Sequence, residues 1–346
     1  MDIDKRKATS NIEHAKRWVN RANKDFNLFK KLVRFDNRIK KPARCFDPAL
    51  AVYLLQQSIE KAVKAVAIAS GQYEARDFVR FYKHNSLALI INLNLKMLAK
   101  LKELGAEHMI SLMGIDLTDA ELKLSTMENQ ILGKIPWMSK DGKKVNIRQE
   151  CMSLKPENID LLIDSYILIR QKLLDVIKIA FKVLPDMGIH KGYGSIENID
   201  AFVNKLSEEI TSRLNISPLS KEQLQVPEEV VKLMHSFGFE AGNGTDRVED
   251  DIDRRDVTMH HLAMWAFSYS LLWLSYITFA HESSSRYPLK HKGNIKTGRL
   301  GCDDYDAQLG IVNRIGQLGY AASLTLSDLK NEIEEVAYFF AVERSE

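Results

Sequence analysis

The stretch from Leu262 to Ala280 (LAMWAFSYSLLWLSYITFA) runs 19 residues without a charged side chain. As a helix it reaches about 28 Å, close to the thickness of a bilayer's hydrocarbon core. A chain carrying such a segment must place it in lipid or close other elements around it. Six hydroxyl-bearing residues lie within it: Ser268, Tyr269, Ser270, Ser275, Tyr276 and Thr278. No Lys/Arg cluster marks just one of its ends, and no second stretch of this kind exists. These features favour a helix buried in a bundle core or a subunit interface, since a helix apolar all round belongs inside a protein as readily as in a membrane. A membrane-associated helical protein is the competing reading.

Around this segment, apolar residues recur at helical spacing and sustained strand alternation is nearly absent. Ile12, Ala15, Val19, Ala22, Phe26, Phe29 and Val33 step by three or four and define one face of a first helix from about Asn11 to Val33. Asp47-Pro48 reads as an N-cap followed by proline at the first helical position. That second helix runs to about Ser70 and stops at Gly71, a residue suited to a left-handed terminator. A third helix is expected from near Asn85 to near Gly105. Thr118 and Glu121 have capping-box spacing. Asp141-Gly142 suggests a small hairpin, and Pro156 opens a long helix ending near Leu184. Glu240 to Asp253 reads as a glycine-rich, then acidic, loop. Two closing helices are expected over about Asp304–Leu324 and Ser327–Arg344.

Charge is unevenly spread. The whole chain has a net charge of only +3, yet Met1 to Cys45 holds 14 Lys/Arg against five Asp/Glu. The excess is either a solvated basic face or a footprint for a phosphate backbone, with Lys30, Lys31, Arg34, Arg38, Lys40 and Lys41 as the candidate nucleic-acid contacts. The three cysteines, Cys45, Cys151 and Cys302, are far apart, which supports neither a zinc site nor a disulfide framework. A reducing cytoplasm is the expected location. No apolar stretch follows the N-terminal charges, so no signal peptide is expected.

Three elements together are more specific than generic helices. Trp18, Ala22 and Asp25 lie on the first. The second contains Gln56-Gln57-Ser58-Ile59-Glu60-Lys61-Ala62-Val63-Lys64-Ala65, whose alanines permit close helix approach and whose Glu60 and Lys64 form an i,i+4 pair on the expected exposed side. The third opens on His84, Asn85 and Leu89. Near the far end stands Ser285-Arg286-Tyr287-Pro288, after the uncharged helix. This order resembles the HEPN (higher eukaryotes and prokaryotes nucleotide-binding) family.

The resemblance implies an all-α, HEPN-like antiparallel helical bundle with a large, mainly helical insertion. The bundle would comprise residues 11–104 and 256–326, with the insertion at 105–255 and a C-terminal helix at 327–346. It also implies a chemistry. Catalytic members carry an Arg-x(4–6)-His motif, doubled across a dimer, that promotes attack of a ribose 2′-OH on the adjacent phosphate without a metal. Here Arg286 and His291 fit, at the position the family would use. Histidine moves a proton near neutral pH, and arginine stabilises charge on phosphate oxygens. Glu282 is a candidate to orient Arg286, or a helix-end charge. Tyr287-Pro288 matches a subgroup often paired with nucleotidyltransferases.

Arg255 with His260, and their neighbours Arg254 and His261, also match the spacing, which alone is a cheap pattern. Asp246, Glu249, Asp250, Asp251, Asp253 and Asp256 lack calcium-loop spacing. No HExxH, phosphate-binding glycine loop or GxSxG setting occurs, so no metal or cofactor is expected. Two functions follow from the resemblance. One is a metal-independent endoribonuclease of a toxin–antitoxin or phage-defence system, acting as a homodimer on RNA. The other is a non-catalytic module that binds a nucleotide or a nucleotidyltransferase-type antitoxin partner.

Overall fold

The computed structural model describes residues 2–34, 44–45, 47–74, 77–78, 82, 85–103, 116–131, 137–138, 144–145, 147–178, 248–281, 300, 304–306 and 308–342. Within them the chain is all-α. Its helices are α1 (Asp2–Leu32), α2 (Pro48–Ala69), α3 (Ser86–Glu103), α4 (Leu117–Ile131), α5 (Ile147–Met152), α6 (Pro156–Lys178), α7 (Val248–Phe279), α8 (Gly310–Asn313) and α9 (Ile315–Val342). Extended pairing among the described residues is limited to two short antiparallel ladders. Val33 and Arg34 (β1) pair with Cys45 and Arg44 (β2), and Trp137 and Met138 (β3) pair with Val145 and Lys144 (β4). The second is the hairpin expected around Asp141-Gly142.

Two compact units divide the chain. One gathers 1–94, 124–167 and 267–346, and the other 95–123 and 168–266. The stretch 124–167 is grouped with the first unit.

In the first unit α1 and α2 pack on each other, and α9 packs on both. The seven residues of the apolar stripe, Ile12 to Phe29 on α1 and Val33 in β1, are all buried, as their spacing requires. The Asp47 carboxylate caps α2 by accepting from the Leu50 N–H at 3.0 Å, and Gly71 takes the left-handed conformation at φ 71°. The Asn85 side chain caps α3 by accepting from Ala88 N–H at 3.0 Å.

Several boundaries differ from the sequence reading, each for a local reason. α1 begins at Asp2, nine residues before the start expected at Asn11. α4 is capped by Asp116, which accepts from the Thr118 and Asp119 N–H groups at 2.8 and 3.0 Å. The Thr118/Glu121 capping box is therefore not used, and Glu121 instead accepts from Lys102 at 2.5 Å. α7 starts at Val248, so 248–253 is helix and not loop. The expected break between Leu324 and Ser327 does not occur, since α9 runs unbroken to Val342. Ser323 and Thr325 bond back to the carbonyls of Tyr320 (2.7 Å) and Ala321 (3.3 Å) inside the helix, rather than capping a new one.

α9 and α6 are locked together. Arg314 makes a two-pronged bond to Asp160 at 2.7 and 2.8 Å, and the Tyr166 hydroxyl reaches Ala321 O at 3.0 Å and the Thr325 hydroxyl. The approach also requires Gly310, because a Cβ there would lie 2.0 Å from the Leu154 carbonyl oxygen, a backbone atom. Gly310→Ala is thus expected to destabilise the protein by about 1–3 kcal/mol through forced backbone displacement. A lowered urea midpoint at unchanged m-value is the signature to look for.

Candidate functional site

Of the residues that carried the family resemblance, those on α1 and α2 meet in one place; His84 and Ser285 to Pro288 lie outside the described residues. Trp18 and Asp25 lie seven residues apart on α1, and Lys61 and Lys64 three apart on α2. Lys61 Nζ donates to the Asp25 carboxylate, and Lys64 Nζ lies 5.1 Å from the centre of the Trp18 ring. The pairing of 18 with 64 and 25 with 61 sets the two helices antiparallel. Ala22, Ala62 and Ala65 have no exposed surface, so small side chains line this close approach.

Behind this contact lies a buried polar network. Lys64 Nζ donates to Glu60 Oε1 at 2.6 Å. Gln56 and Gln57 each donate to Glu60 Oε2 at 3.3 Å. Glu60 and Lys64 are only 3% and 7% exposed, which corrects the expectation of an exposed pair. The reason is that α2 is covered on every side: 17 of its 22 residues are buried. Removing one charge of a buried pair strands the other. Lys64→Met is therefore expected to cost about 3–5 kcal/mol, and Glu60→Met/Lys64→Met much less than twice that. Urea unfolding of both variants decides it, and equal, additive losses would show that the two charges do not act as a pair.

The basic candidates divide. Lys30 and Lys31 are exposed at the end of α1, and Arg34 stands in β1. Arg38, Lys40 and Lys41 lie outside the described residues, as do all four residues of the Arg-Tyr-Pro site, Glu282, Arg286, Tyr287 and His291. The chain on either side of 282–299 is well anchored. His281 is wholly buried after α7, and its Nδ1 lies 3.4 Å from the Tyr305 hydroxyl. The two rings meet edge to face at 5.8 Å, and Leu300 is buried. Burial pushes the His281 pKa down to about 4 from its usual 6.5.

That shift has a definite sign. Above about pH 6.5 the imidazole is neutral whether the chain is folded or not. Between pH 6.5 and 4 the unfolded chain takes up a proton that the fold refuses, so stability falls with pH by an amount on the order of 3 kcal/mol. His281→Gln should flatten the dependence of the unfolding midpoint over this window, and an unchanged slope would exclude His281 as its source.

Other polar groups were not legible in the sequence, because their members are distant in it. Tyr73 and Tyr82 hydroxyls converge on Asn92 Oδ1, whose Nδ2 donates to Glu128 at 2.6 Å. Burial and the Tyr82 bond raise the Tyr73 pKa. Cys151, bonded to Tyr276, is buried, and burial pushes its thiol up to about 12. It is therefore protonated at neutral pH and unsuited to nucleophilic work.

The uncharged segment is buried inside the protein. One helix among the described residues, His261–Phe279, is long and apolar enough to cross a membrane, and 83% of that window is buried. Two of its buried hydroxyls find partners within the fold, while the buried Ser275 hydroxyl has none among the described residues. Ser268 donates to Asn94 Oδ1 at 3.0 Å and Thr278 to Leu274 O at 2.8 Å. Among the described residues no group of three or more His, Cys, Asp or Glu is placed to hold a metal ion. No family model, curated protein or solved structure matches this chain.

Proposed function

We propose that the chain is a HEPN-type endoribonuclease of a toxin–antitoxin or phage-defence system, with Arg286 and His291 as its catalytic pair. The observation that carries the reading is the packing of α9 on α1 and α2. It brings the helices bearing Trp18, Asp25 and the Gln56–Ala65 motif into one unit with the far end of the chain, which is what a discontinuous HEPN-like bundle requires. Exposed Lys30 and Lys31 on α1 give that unit cations suited to a phosphate backbone.

In the proposed reaction the neutral imidazole of His291 takes the proton of a ribose 2′-OH. The freed oxygen attacks the adjacent phosphorus, and the bond to the 5′-oxygen breaks. The departing 5′-oxygen takes up a proton from an imidazolium of the doubled pair or from water, so the products are a 2′,3′-cyclic phosphate end and a 5′-hydroxyl. Arg286 stabilises the charge that builds on the non-bridging oxygens. In this reading Glu282 orients the arginine, Tyr287 is a supporting residue of the same loop, and a homodimer doubles the pair in one cleft.

Labelled RNA incubated with the protein in EDTA tests this. The wild type should yield 2′,3′-cyclic phosphate ends. His291→Ala should lose about 10²–10⁴-fold in rate, the usual worth of a general acid–base group, and Arg286→Ala should be similarly impaired. RNA left intact by the wild type, or cleavage undiminished in both variants, removes the nuclease.

A further inference from the structure

One solvent face of α1 carries a row of cations that the buried packing does not use. Arg17, Arg21, Lys24 and Lys31 are all exposed. At about 100° per residue they fall within about 80° of arc, opposite the apolar stripe, and span about 21 Å along the axis. Asn20 and Asn27, also exposed, lie along one edge of the row. The two carboxylates on this part of the helix are both engaged. Asp25 is turned to Lys61 on α2, and Glu13, at the N-terminal end of the row, pairs with Lys16 at 3.4 Å. Arg21 is steadied by the Trp18 ring, 5.4 Å below its guanidinium.

We infer that this row is a track for the sugar–phosphate backbone of single-stranded RNA. The choice of RNA rests on the nuclease reading above, and the choice of a polyanion rests on the charge of the face. Cations in a line meet successive phosphates, while the asparagine amides both donate to and accept from ribose hydroxyls. A membrane surface fits less well. An interfacial helix needs an apolar face to bury in the headgroups, but Ala15, Val19, Ala22, Phe26 and Phe29 are already buried in the protein, which leaves Leu28 as the exposed large apolar residue of α1 among the described residues. The track enlarges the expected set of contacts, which held Lys31 but none of Arg17, Arg21 or Lys24.

Binding, measured separately from cleavage, tests the track. Fluorescence anisotropy of labelled oligouridylate is followed across a salt series in a His291→Ala background, which keeps the RNA intact. Replacing Arg17, Lys24 and Lys31 by glutamine should flatten the slope of log K against log salt by about 2, since each phosphate contact with a single strand contributes about 0.7. Replacing exposed Lys123, Lys155 and Lys330 by glutamine removes the same charge elsewhere and should leave the slope unchanged. Three results overturn the track: no binding by the parent protein, equal slopes in the two triple variants, or loss of binding to phosphatidylserine vesicles with the RNA slope retained. A parent that binds steeply while wild type fails to cleave would remove the nuclease and leave the track standing. A cleaving wild type whose track variant keeps its slope would do the reverse.

Discussion

A helix with a carboxylate and an ammonium inside it has to be closed over on every side, and α2 imposes that condition on its whole neighbourhood. Glu60 is held by Lys64 and by the amides of Gln56 and Gln57. A buried charge left short of partners is costly, so the network is tolerable only while water is kept out and every donor stays aimed. α1 supplies part of that cover, with Trp18 over Lys64 and Asp25 on Lys61. Because the two contacts are seven residues apart on α1 and three apart on α2, they also set the direction and register of the helix pair. α9 closes against both helices, so the far end of the chain is tied to its beginning.

The uncharged stretch of α7 is accommodated by the same logic applied to hydroxyls. Burying an unpaired hydroxyl costs free energy that burying a methyl group does not. Thr278 turns back to its own helix, as Ser and Thr commonly do inside helices, whereas Ser268 reaches Asn94 on α3 and Tyr276 reaches Cys151 on α5. These cross-helix bonds give an otherwise featureless apolar surface a particular register. The histidine that ends the segment, His281, is kept neutral by its burial and sits against Tyr305, which fixes the chain on both sides of the proposed Arg-Tyr-Pro site.

α1 has two faces with separate roles. Its inner face is apolar and fully covered, with Ala15 and Ala22 allowing close approach. Its outer face from Arg17 to Lys31 is cationic, and Glu13 and Asp25 are each paired with a lysine. This division lets one helix organise the core and still present charge to a partner.

The helical class, the face of α1 that goes inward, and the Asp47 cap and Gly71 stop of α2 can be read from the residues alone, which also favour an inward fate for Leu262–Ala280. All of these follow from spacing along one helix or from side chains that act on their own backbone. The sequence reading misplaced the ends of α1, α4, α7 and α9, where Asp116, Ser323 and Thr325 had several local bonds open to them. It also read Glu60 and Lys64 as exposed, because an i,i+4 pair looks the same on a surface or in a core. The folded chain alone reveals that α2 is enclosed, that Arg314 reaches Asp160 across 154 positions, and that Tyr73, Tyr82, Asn92 and Glu128 form one cluster. Periodicity reports which side of a helix avoids water. It carries no information about which distant segment does the covering, because that depends on how the whole chain closes.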